Sequence, residues 1–176
     1  LEAGDLTVPI QYKVEEMRNG GSFSTRRVTA IQHDKSIFIL AASFHKKEEG
    51  FEHQTNFDAN IKQPEELLSW DDMLAQFGDF LPKSTKAFLS VKRPIEFKPV
   101  RVPNPLDPKD LPATEQVWFR LKGEKIDLDH RTKQEILTYI SDYNLLNAAF
   151  NPNASTHNFG NTQTASLDHS MWFFRD

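Results

Sequence analysis

The sequence predicts an α+β fold in which an antiparallel sheet packs with one long helix. Two observations carry this: apolar and polar residues alternate well over 7–17, and apolar residues recur at helical spacing between 129 and 147. A third is the Gly-Gly turn that follows the first alternating run and marks a hairpin.

In the first run Val8, Ile10, Tyr12 and Val14 face one way and Gln11, Lys13 and Glu15 the other, the pattern of a half-buried strand. Asn19-Gly20-Gly21 turns the chain, since glycine tolerates positive φ. A second strand follows over 22–32, marked by Phe23, Val28 and Ala30. His33-Asp34-Lys35 makes the next turn. Residues 36–45 are apolar on both faces and read as a central strand buried on both sides.

The polar stretch 46–63 is a connection. Pro64-Glu65-Glu66 opens a helix, because proline suits a first turn and acids suit the positive end. Leu67, Trp70, Leu74, Phe77 and Leu81 continue it at helical spacing, and Pro82 ends it. A Pro-rich stretch over 94–112 carries a short strand at 95–100 and reads as a crossing between two halves. Another strand covers 116–122. Asp127 or Asp129 caps a long helix to about Asn147, with Ile136, Tyr139, Ile140 and Tyr143 as its buried stripe. A polar loop over 151–163 leads to a last strand, 165–174, which stops without a closing turn; the chain is expected to end before its fold is complete.

Composition removes several functions. With 176 residues, 38% of them hydrophobic, the chain can bury a core. A net charge of -4 gives no general attraction to nucleic acid. The absence of cysteine removes disulfides, thiolate metal sites and a Cys nucleophile. No apolar run reaches the roughly 20 residues of a membrane span, and residues 1–5 show no signal peptide. The six histidines are scattered, without a pair at metal-ligand spacing, so no metal or other cofactor is expected. Ser22, Ser24 and Thr25 read as turn and strand hydroxyls. Arg26 and Arg27 read as a solvated face, although one of them could meet a phosphate; the stripe of Trp70, Phe77 and Phe80 reads as core or interface.

Three segments resemble the acyl-CoA thioesterase II family. The first runs from Arg18-Asn19-Gly20-Gly21-Ser22-Phe23 through Gln32 to Gly50-Phe51-Glu52-His53-Gln54. The second is Tyr139-Ile140-Ser141-Asp142-Tyr143-Asn144-Leu145-Leu146, and the third, most specific, is Ser166-Leu167-Asp168-His169-Ser170-Met171-Trp172-Phe173. The resemblance implies a hotdog-type antiparallel sheet wrapping a long helix, as part of a double hotdog. Residues 1–90 would supply the C-terminal strands of the first repeat plus a connecting helix, and 91–176 the linker and the N-terminal part of the second. The sequence departs from the family at Phe174, where the family usually has His.

The implied activity is hydrolysis of fatty acyl-CoA to free acid and CoA, in lipid metabolism, without metal or organic cofactor. The family holds the attacking water with an Asp, a Ser or Thr, and a Gln. The Asp matches Asp168, which would orient and deprotonate the water; the other two would fall in strands beyond Asp176. From spacing alone, Asp168 reads rather as a turn or strand-end carboxylate satisfied by backbone N–H groups, since one Asp is not a site; the surrounding motif reverses that preference. His169, its neighbour in an extended segment, faces the other side and reads as structural. Expected partners are the acyl-CoA substrate and either a second copy of the chain or an intact second hotdog half. The expected compartment is the peroxisome in a eukaryote and the cytoplasm in a bacterium. The rival reading is a truncated, non-catalytic hotdog that binds acyl-CoA or acts only through assembly.

Overall fold

A computed structural model describes residues 3–58, 60–102, 104 and 107–174. The chain forms two compact units, Leu1–Asn56 and Phe57–Asp176.

The first unit is a three-stranded antiparallel meander in the order β1 (Gln11–Asn19), β2 (Phe23–Gln32), β3 (Lys35–His45). The three expected strands are therefore present, with β1 starting later than the alternation suggested. Tyr12, Ala30 and Phe38 lie opposite one another across the sheet, as do Val14, Val28 and Leu40. The strand expected at the centre is instead β3, which pairs only with β2 among the described residues. Of its large apolar side chains only Ile37 is buried; Phe38, Ile39, Leu40 and Phe44 are exposed. Apolarity on both faces thus does not mark a central strand here, because strand order depends on turns and not on hydropathy.

The β1–β2 turn closes with Gly20 N–H donating to the Phe23 carbonyl at 2.8 Å. Neither Gly20 nor Gly21 adopts positive φ; the left-handed residues are His33 (φ 49°) and Asp34 (φ 61°). These two link Gln32 to Lys35 directly, and a two-residue hairpin requires positive φ at both central positions to match strand twist. The Gln32 side chain, 4% exposed, accepts from Asp5 N–H and donates to the Asp5 and Val8 carbonyls, tying the preceding segment onto the sheet.

The second unit has its core where a hairpin meets a helix. β4 (Ile95–Pro99) pairs antiparallel with β5 (Val117–Leu121). Ile95, Phe97 and Ile140 form the buried cluster, with Trp70, Val117, Ile136 and Tyr143 packed on it. Phe97 lies 4.4 Å from the Trp70 ring and 5.2 Å from Tyr143. The Arg93 guanidinium rests over the rings of Phe88, Trp70 and Tyr143 at 4.5–5.6 Å, joining two helices and the turn that follows a third through cation–π contact.

The helix expected from Pro64 to Leu81 is split. Pro64–Glu66 is a single 3-10 turn, and α1 runs only over Trp70–Phe77. Ser69 restarts it with a capping box: its hydroxyl accepts from Asp72 N–H, while Asp72 accepts from Ser69 N–H at 2.9 Å. Periodicity continued across this break because the cap changes the backbone and leaves the apolar spacing intact. The expected apolar stripe divides accordingly: Trp70 joins the core, whereas Phe77 and Phe80 are exposed. Beyond Pro82 a helix the pattern did not announce, α2 (Lys83–Ser90), begins directly, since proline is well placed before a first turn.

The long helix expected to Asn147 also breaks. α3 (His130–Ser141) ends at the Asp142 cap, and α4 (Leu145–Phe150) follows. The cap at its start is Asp129, not Asp127: its carboxylate accepts from Thr132 N–H at 3.0 Å and from the Thr132 hydroxyl at 2.8 Å. Of the expected stripe, Ile136, Ile140 and Tyr143 pack on β4–β5 while Tyr139 remains 57% exposed. The strand expected over 165–174 is not formed: no strand is assigned there, because no described segment lies alongside to complete a hydrogen-bonded ladder.

Candidate active site

The C-terminal end of α3 holds the segment that carries Asp168. Ser141 occupies the last helical position and Asp142 the cap. The Ser141 hydroxyl lies 2.9 Å from His169 Nε2, and Asp142 Oδ1 lies 3.8 Å from His169 Nδ1. Asp142 Oδ1 also accepts from the Ser166 hydroxyl at 3.2 Å. An acid at a helix C-terminus is opposed by the macrodipole, so these two partners offset an unfavourable position.

Asp168 sits between the two anchored residues, Ser166 and His169, with its own side chain exposed. No described residue hydrogen-bonds or ion-pairs with its carboxylate, so the strand-end carboxylate satisfied by backbone N–H groups is not what is seen. An exposed, unengaged carboxylate on an anchored segment can take a proton from water. In the same segment Leu167, Trp172 and Phe174 are exposed and Met171 is half-buried. Tyr139, on α3, and Tyr143, in the turn just past its cap, join their hydroxyls at 2.7 Å, and this bond raises the Tyr139 phenol above its ordinary range.

The other residues singled out from sequence are not gathered into a site. Arg26 donates to Asn19 Oδ1 at 2.6 Å and to the Arg18 carbonyl, and stands 3.7 Å from Glu16; Arg27 lies 3.7 Å from Glu15 on the other face. Both are thus engaged within the β1–β2 hairpin. Ser22 precedes β2, Ser24 and Thr25 lie in it, and none is bonded to a described His or acid. Among the described residues no group of three or more His, Asp or Glu is placed to hold a metal. Among the described residues no helix is long and apolar enough to cross a membrane. Sequence reasoning assigned no role to Ser141, Asp142 or Ser166; the signal was their place in the two segments that most resemble the family.

Two family models match the chain. One described as acyl-CoA thioesterase covers residues 84–176, and one described as acyl-CoA thioesterase N-terminal domain covers residues 1–45. The chain belongs to the acyl-CoA thioesterase family. Among curated relatives, acyl-CoA thioesterase 2 of Haemophilus influenzae is 36% identical over 175 residues, 99% of this chain and 60% of that protein. Acyl-coenzyme A thioesterase 8 of Homo sapiens is 35% identical over 181 residues, 98% and 56% respectively. The chain therefore spans a little over half the length of these relatives. The crystal structure of the acyl-CoA thioesterase II TesB2 from Mycobacterium marinum matches with TM-score 0.60 and 30% identity over 85% of this chain and 50% of that one. A tesB protein of Mycobacterium avium subs paratuberculosis, 22% identical with TM-score 0.61 over 89% of this chain and 51% of that one, shares the fold. The mixed helical and antiparallel-sheet architecture is that of the TesB-type hotdog proteins.

Proposed function

We propose that the whole protein hydrolyses fatty acyl-CoA thioesters, with Asp168 as the base that deprotonates the attacking water. The water oxygen adds to the thioester carbon as its proton passes to Asp168. The tetrahedral intermediate then collapses, the C–S bond breaks, and the proton leaves on the CoA sulfur; the products are a free acid and CoA. The observation that carries this is the placement of an exposed, unpaired carboxylate at Asp168 within the region matched by the family model. The relatives' names supply the substrate class.

Residues 1–90 are read as the later strands of a first hotdog repeat with a connecting helix, and 91–176 as the linker and opening part of a second. The partner in this reading is a second copy of the chain or an intact second hotdog half. The role is in lipid metabolism, in the peroxisome of a eukaryote or the cytoplasm of a bacterium.

The test is Asp168→Asn in the full-length protein, assayed by release of CoA thiol from a long-chain acyl-CoA. Asn preserves shape and cannot accept the proton, so turnover falls by about a hundredfold or more with folding intact. His169→Gln costs much less. Near-normal turnover of Asp168→Asn, or greater damage from His169→Gln, would overturn the assignment and favour a protein that binds acyl-CoA without cleaving it.

A further inference from the structure

From the contacts at the end of α3 we infer that Ser141 and Asp142 are positioning residues, a two-point clamp that fixes the backbone on both sides of Asp168. The inference rests on reading Asp168 as the base. One point is the Ser166 hydroxyl on Asp142 Oδ1 (3.2 Å); the other is the His169 ring on Ser141 (2.9 Å). Asp168 lies within the four residues so spanned, and its own side chain contributes nothing to holding it.

Proton accounting defines the clamp further. Ser141 has one hydroxyl hydrogen, and it is donated to the Thr138 carbonyl at 2.8 Å. The contact with His169 must then be donated by the ring, so Nε2 carries the proton. This polarity rules out Ser141 as a nucleophile activated by His169, since the ring nitrogen facing it has no lone pair to accept the hydroxyl proton. Asp142 Oδ1 stands 3.8 Å from Nδ1, beyond hydrogen-bond distance, and holds the segment through the Ser166 hydroxyl instead. The serine, histidine and aspartate thus resemble a hydrolytic triad in composition, while the direction of the hydrogen bonds makes them an anchor.

The experiment uses the full-length protein with five variants against Asp168→Asn. Ser141→Ala and His169→Ala each remove the second clamp point from one side. Each lowers kcat by roughly tenfold or more, within the hundredfold scale expected for a misplacement of about 1 Å, and leaves KM and Tm near their original values. The double variant is no worse than either single one, because both remove the same contact. Ser141→Thr keeps the hydroxyl and His169→Gln keeps an N–H donor, so both retain most of the turnover. A nitrogen-15 spectrum of the neutral imidazole reports the Nε2–H tautomer at His169. Should Asp168→Asn abolish turnover while Ser141→Ala and His169→Ala retain full kcat, the clamp is wrong and the base stands. A neutral His169 in the Nδ1–H tautomer also overturns the clamp. Normal turnover in Asp168→Asn overturns the base, and the clamp falls with it. His169 lies outside the helices, so its variants keep the test valid if Ser141→Ala does not fold.

Discussion

Replacing Phe97 by Ala tests whether the hairpin and α3 share one core. Phe97 is 1% exposed and is flanked by the Trp70 and Tyr143 rings at 4.4 and 5.2 Å. Burial of the whole ring, with three-sided contact that a rigid hairpin cannot close over, places the loss at about 3–5 kcal/mol, the range for a buried aromatic truncated to alanine. The exposed Phe80 is the control: at 76% exposure its truncation shifts stability by about 0.5 kcal/mol or less. Urea unfolding followed by tryptophan fluorescence is a selective assay, since Trp70, Trp118 and Trp172 all lie in the second unit and the first has none. The midpoint should fall sharply for Phe97→Ala with an unchanged slope. A midpoint shift no larger than that of Phe80→Ala would refute the shared core.

Ser69→Ala removes the hydroxyl that restarts α1 and should lower stability by about 1 kcal/mol in the same titration, the usual cost of a lost N-cap. Burial pushes the Glu115 carboxyl up, against hydrogen bonds from Asn151 and Asn147 and the charge of Arg101, which pull it down. A raised folded value means the stability Glu115 contributes is present at acid pH and is lost as pH rises through its titration. The Tm of Glu115→Gln should therefore gain on that of the original chain as pH rises through the carboxylate range; a constant difference would count against a desolvated Glu115. Asp129 shows the opposite sign. Hydrogen bonds from Thr132 hold its carboxyl low, so Asp129→Ala should cost most above the ordinary carboxylate range and progressively less as pH falls, measured by Tm across pH.

The five strands that form were legible from the two-residue period and the breakers between them, although β1 starts only at Gln11 and the strand expected over 165–174 does not form. The helices were legible only as periodic stripes. A 3.6-residue pattern passes unchanged through Ser69 and through Asp142–Asn144, because a cap alters backbone hydrogen bonding and not which side chains are apolar. Strand position was hidden for a related reason, since β3 carries apolar residues on both faces and still lies at the sheet edge. Asp168 was visible through its motif. Ser141, Asp142 and Ser166 were not, because their contacts span 24 to 28 residues and no local spacing reports a contact of that range.

The turn lengths set an order of events for the growing chain. β1, β2 and β3 are joined by links of two or three residues, so their pairing needs little loop closure, whereas β4 reaches β5 only after the stretch from Val100 to Gln116 is drawn shut. Local pairings form faster than distant ones. The meander, being nearer the N-terminus, can zip while the second unit is still being synthesised. Among the described residues β3 has an unpaired backbone edge and exposes Phe38, Leu40 and Phe44, so a chaperone that shields this strand on the nascent chain would limit intermolecular strand pairing.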